Sequence, residues 1–134
     1  MQEKSLQGFR DGGDQRGESS TLLNLGNVLV ERGELSQAIV NYERAAAITE
    51  KIGYKLGGAA NFAGFAQISL IRDQVSQASD QEKQALALQK DAGDSVEMAQ
   101  SQLALATIAM EQGKPAEAEA LIRVAVSYTH LRCV

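Results

Sequence analysis

Apolar side chains recur along this chain at the spacing of one helical face. Leu22, Leu25, Gly26 and Leu29 fall at i, i+3, i+4 and i+7, and Ala38, Ile39, Tyr42, Ala45 and Ala46 repeat the pattern a little further on. Glycines punctuate these stretches at Glu31-Arg32-Gly33-Glu34, Ile52-Gly53-Tyr54, Gly93-Asp94-Ser95 and Glu111-Gln112-Gly113-Lys114-Pro115. A glycine can adopt the left-handed conformation that ends a helix, and Pro115 is tolerated at or near the start of the next. The pattern predicts helices over about 2–10, 15–32, 36–51, 55–72, 76–91, 95–112 and 116–128. Asp94 followed by Glu97 reads as a capping box with Asp in the cap position.

Written under itself with a shift of 40 residues, the chain places Gly13, Gly53 and Gly93 in one column. Leu25, Phe65 and Leu105 align, as do Ala38, Ala78 and Ala118, then Ala45, Ala85 and Ala125, and finally Ile48, Leu88 and Tyr128. A period between roughly 20 and 50 residues marks stacked repeats, each burying its apolar face on its neighbour. The implied division is a second-helix remnant at 1–12, repeats at 13–52, 53–92 and 93–127, and a tail at 128–134 expected to be non-native or disordered. That tail, with Ser127, breaks the Ala-, Gln- and Glu-rich character of everything before it.

The stretch LNLGNVLVERGELSQAIVNYERAAAI, residues 23–48, resembles a tetratricopeptide repeat. Leu25-Gly26 stands at the family's Leu-Gly pair, Leu29 at the next large apolar site, Gly33 at the turn, and Ala38, Tyr42 and Ala45 at the Ala, aromatic and Ala of the second helix. Residues 101–126 match again through Leu105-Ala106, Ala109, Gly113, Ala118, Ile122 and Ala125. The middle unit departs: Ser69 replaces the large apolar residue, Asp73 the turn glycine and Glu82 the aromatic, so its second helix is expected to be the weakest. The 40-residue period exceeds the family's usual value of about 34 and resembles the longer-helix variants of kinesin light chains and bacterial multi-repeat regulators. The resemblance implies an all-α fold, an α-solenoid of antiparallel helix pairs in a right-handed superhelix, with the first helices lining a concave groove.

On the helical wheel, Ser20, Asn24, Asn27 and Glu31 lie opposite Leu22, Leu25 and Leu29. Their equivalents are Ala60, Gly64, Gln67 and Ile71, then Gln100, Ala104, Thr107 and Glu111. This face is nearly uncharged and small at its centre, so it either receives an extended peptide or helix or is simply a solvated face. Chaperone-binding members of the family grip a partner's terminal carboxylate with lysines and an arginine. Here those places hold Leu23, Asn27, Ala60, Gly64 and Gln67, which predicts no such clamp.

Composition narrows the remaining classes. The formal charge is −4, and 13 Lys and Arg are dispersed among 17 Asp and Glu without a basic stripe, which disfavours nucleic acid and anionic membranes. No apolar run approaches the roughly 20 residues of a membrane span, and the polar start MQEKSLQG lacks a signal-peptide core, so a cytoplasmic location is expected. The only histidine and cysteine, His130 and Cys133, sit together near the end, too few for a structural metal site. Gly53-Tyr54-Lys55-Leu56-Gly57-Gly58 is not followed by a phosphate-binding Gly-Lys-Ser/Thr and reads as a boundary turn. Asp11 with Asp14 and Asp91 with Asp94 read as helix caps rather than calcium ligands. No catalytic constellation and no cofactor is expected. The expectation is a protein-binding scaffold belonging to a larger multi-repeat regulator; the alternative is an array that self-associates through end helices carrying Leu6, Phe9, Leu121, Ile122 and Val126.

Overall fold

The computed structural model describes residues 14–133. Six helices follow one another: α1 (Gln15–Glu31), α2 (Leu35–Ile52), α3 (Lys55–Ile71), α4 (Val75–Ala92), α5 (Ser95–Glu111) and α6 (Pro115–Cys133). No strand occurs among the described residues. Each helix packs on the next, α1 also touches α3, and the result is an all-α solenoid of antiparallel pairs. The remnant expected over 1–12, with Leu6, Phe9 and Asp11, lies outside the described residues, as do the side chains of His130 and Cys133. Helical backbone in α6 continues through Cys133, past the end near 128 that the apolar pattern suggests.

The short links are possible because every one is the same left-handed turn. Gly33, Gly53, Gly93 and Gly113 have φ of 78°, 68°, 72° and 72°, and Asp73 takes the equivalent place at 58°. After α1, the N–H of Gly33 donates to the Val30 carbonyl and that of Glu34 to the Leu29 carbonyl at 2.8 Å, the two bonds of a Schellman ending. The same pair recurs after α3, where Asp73 donates to Leu70 and Gln74 to Ser69 at 2.7 Å. Asp73 therefore builds the turn in the glycine's own geometry, and α4 forms in full despite the departures of the middle unit.

Helix starts are less uniform. The Asp14 carboxylate accepts from the Gly17 N–H at 2.8 Å and that of Asp94 from the Glu97 N–H at 3.1 Å. The Asp94 N–H, however, donates to the Gln89 carbonyl at 3.1 Å. Asp94 is thus a plain cap, because the donor that a capping box would return to Glu97 is already spent closing the previous helix. Asp91 lies exposed in the last turn of α4 and caps nothing.

Alanine columns mark the closest helix approaches. Ala38, Ala78 and Ala118 are 0–1% exposed, and Ala45, Ala85 and Ala125 are 0–2%. Larger residues at these places would push the paired axes apart. The first pair closes over a cluster of Leu29, Val30, Ala38, Tyr42 and Ile68; the later clusters are smaller, Ala66, Ala78 and Ile108, then Ala106, Ala109 and Ala118. Leu121 packs partly buried on the last of these rather than standing free on an end helix.

Candidate functional site

Tyr42 organises the first two units. Its ring is fully buried between the backbones of α1 and α3: a Cβ on Gly26 would stand 2.5 Å from the ring, and one on Gly64 2.7 Å. The Phe65 ring meets it edge-on, with centroids 5.5 Å apart. The hydroxyl emerges far enough to donate to Asn27 Oδ1 at 2.6 Å, and burial pushes its pKa upward, so it stays a donor. One unit on, Glu82 stands at the tyrosine's place and Ala66 and Ala104 at those of the two glycines. Burial raises the Glu82 pKa, and a hydrogen bond with Ser101 partly counters this.

The twelve positions expected on the groove face divide by exposure. Asn24, Asn27 and Glu31 on α1, Gln67 and Ile71 on α3, and Gln100, Thr107 and Glu111 on α5 are exposed. Ser20, Ala60 and Ala104 are half-buried. Gly64 is the departure: it is buried beneath Tyr42, so its missing side chain serves packing and not a partner. Asn27 is anchored from below by the Tyr42 hydroxyl. The Thr107 hydroxyl is turned back onto the Leu103 carbonyl at 3.1 Å. Chemically the face offers amide donors and acceptors, two carboxylates and one exposed isoleucine. Among the described residues no group of three His, Cys, Asp or Glu is placed to hold a metal ion, and no helix is long and apolar enough to cross a membrane.

A second feature escapes the wheel. A hollow of about 460 Å³ opens between the end of α2, the start of α3 and Leu88 of α4. Ala46, Thr49, Asn61, Phe62 and Phe65 line it, with Glu50 and Lys55 also on its wall. The sequence signal was available in the 40-residue register: Gly58 stands where the next unit has Met98, a side chain that is buried there. An apolar face was legible; that one interface would be left underfilled was not.

Comparison with known proteins agrees with this architecture. Residues 19–52, spanning α1, its turn and α2, match the family model of the tetratricopeptide repeat. No curated protein matches the chain. Tetratricopeptide repeats are protein–protein interaction modules on a non-catalytic scaffold fold. Residues 19–52 are thus a tetratricopeptide repeat, and the same helix pair recurs after them at the same period.

Proposed function

We propose that the chain is a non-enzymatic scaffold that holds an extended peptide or a helix along the face of its first helices. The supporting observation is the row of exposed, uncharged polar side chains, Asn24, Asn27, Gln67, Gln100 and Thr107, recurring on α1, α3 and α5. Such a row reads backbone amides and polar side chains of a partner and offers little to phosphate, lipid or a lone terminal carboxylate. The reading includes no nucleic acid, membrane, metal or cofactor, a cytoplasmic setting, and a place within a larger multi-repeat regulator. Peptides selected from a random display library on the whole chain should lose binding when Asn24, Gln67 and Gln100 are together replaced by lysine, with helicity unchanged by circular dichroism. Equal binding by that variant would refute the groove as the site.

A specific observation also favours self-association. Leu103, Met110 and Ile122 are 47%, 59% and 43% exposed, whereas their register mates Leu23, Val30 and Tyr42 pack into the first core. Another unit stacked on α5 and α6 would cover them as the second unit covers the first. Val126 is exposed on the same helix. Light scattering over a hundredfold concentration range tests this: a mass that rises with concentration and falls back in Met110→Lys supports stacking, and a constant monomer mass refutes it.

A further inference from the structure

The first two apolar clusters of the solenoid each take in an isoleucine from the unit that follows. Ile68 of α3 joins Leu29, Val30, Ala38 and Tyr42, and Ile108 of α5 joins Ala66 and Ala78. The third cluster, Ala106, Ala109 and Ala118 with Leu121, is built from α5 and α6 alone. Exposure along the register follows the same course. The column Tyr42, Glu82, Ile122 is 0%, 7% and 43% exposed, and the column Val30, Leu70, Met110 is 8%, 36% and 59%. The face of α5 and α6 that carries Ile122 and Met110 is therefore the repeated surface without, among the described residues, the helix that covers it in the two units before.

The chain shows twice what such a covering helix looks like. It is the first helix of a pair, and it runs parallel to the first helix of the unit beneath because successive helices are antiparallel. It brings a small residue to the place facing the second helix beneath. Gly64 stands over Tyr42, where a Cβ would lie 2.7 Å from the ring, and Ala104 holds the same place one unit on. Four residues later, on the same face, it brings Ile68 or Ile108, which are 3% and 1% exposed. The small residue permits close approach of the axes, and the β-branched one fills the seam with little rotamer freedom to lose. In the same register α1 carries Asn24 and Val28, so its amide, larger and polar, breaks the pattern.

We propose that the α5–α6 face of the last unit is a docking site for a foreign amphipathic helix that carries Gly or Ala and, four residues later, Ile. The helix lies parallel to α5. Its small residue sits against Ile122 and its isoleucine against Ala106 and Ala118, as Ile108 sits against Ala66 and Ala78. The proposal shares its face with the stacking reading above and rests on that reading for the face alone. A second copy is the poorer occupant, since its α1 would bring Asn24 against Ile122.

The probe is a synthetic peptide of residues 94–111, which holds the pattern as Ala104 and Ile108 and keeps the Asp94 cap. A lactam bridge across positions 103 and 107, both exposed in the chain, holds it helical, because a free helix of this length is marginal. Titrated into the full chain with labelled methyl groups, it should shift Met110 and Ile122 saturably and leave Val28 of α1 unmoved. The peptide with Ile108→Lys should bind at least about tenfold more weakly. Met110→Lys in the chain should weaken the unaltered peptide to a similar degree, with circular dichroism that of the wild type. No saturable shift, equal affinity of the two peptides, a shift centred on Val28, or undiminished binding to a folded Met110→Lys chain would overturn the assignment. Light scattering separates it from stacking of copies. A chain that self-associates yet ignores the peptide overturns the helix site and leaves stacking, whereas a constant monomer that binds the peptide does the reverse.

Discussion

Asp73 occupies a turn that every equivalent position assigns to glycine, and its φ of 58° is the sole positive value at a non-glycine among the described residues. Moving an L-residue into the left-handed region costs about 1–2 kcal/mol, with aspartate at the lower end because its short polar side chain tolerates it. Replacement by glycine removes that cost and returns about 0.5 kcal/mol of it through the freer unfolded chain. The carboxylate also stands at the C-terminal end of α3, where the helix dipole disfavours an exposed negative charge by about 0.3 kcal/mol or somewhat more. The sum predicts that Asp73→Gly stabilises by about 1 kcal/mol, a rise of about 4 °C in Tm for a chain of this size. Asp73→Asn, which keeps the side chain and loses the charge, should gain only about 0.3 kcal/mol. The repeat supplies its own control, because Gly33 adopts the same turn with nothing within 4 Å of the site a Cβ would take. Gly33→Asp should therefore lose about what Asp73→Gly gains. Urea unfolding followed by circular dichroism reads all three variants, provided the slope is unchanged. A neutral Asp73→Gly refutes the strain argument, and an Asp73→Asn as stable as Asp73→Gly shows that charge accounts for everything.

Three further outcomes follow from the packing. Gly64→Ala places a methyl 2.7 Å from the Tyr42 ring and should cost about 1–3 kcal/mol; adding Tyr42→Ile, the residue of the third unit, should recover part of the loss in a double-mutant cycle. Asp94→Ala removes the cap on the Glu97 N–H and should cost about 1 kcal/mol in thermal unfolding, most of it in the last unit. Glu82 has its pKa raised by burial, so its protonated form is favoured in the fold, and its contribution to stability is present below the unfolded carboxyl pKa and lost as pH rises through the folded one. Glu82→Gln should therefore match the wild type near pH 4 and become the more stable of the two toward pH 7; parallel unfolding curves across that range would refute the assignment.

Much of the architecture was legible because each repeat states it again. The helix ends come from Gly33, Gly53, Gly93 and Gly113, whose need for positive φ is local, and the alanine columns come from close axial approach, which constrains size alone. The capping box was misread because the Asp94 N–H is claimed by Gln89 of the preceding helix, a bond that no local spacing encodes. Gly64 was misplaced for a related reason: a helical wheel assigns faces on one helix, whereas the ring that buries Gly64 belongs to Tyr42 on another.

Those two misreadings point to the same physical rule for the interior. The fitting unit is a set of register positions across neighbouring helices: a tyrosine between two glycines in the first interface, a glutamate between two alanines in the second. Each set fills a similar space, so changing one member alone should be costly while changing the set together should not, the coupling expected of residues in direct contact. By that rule the degenerate middle unit is an alternative filling, in which a carboxyl whose pKa burial raises stands at the tyrosine's place.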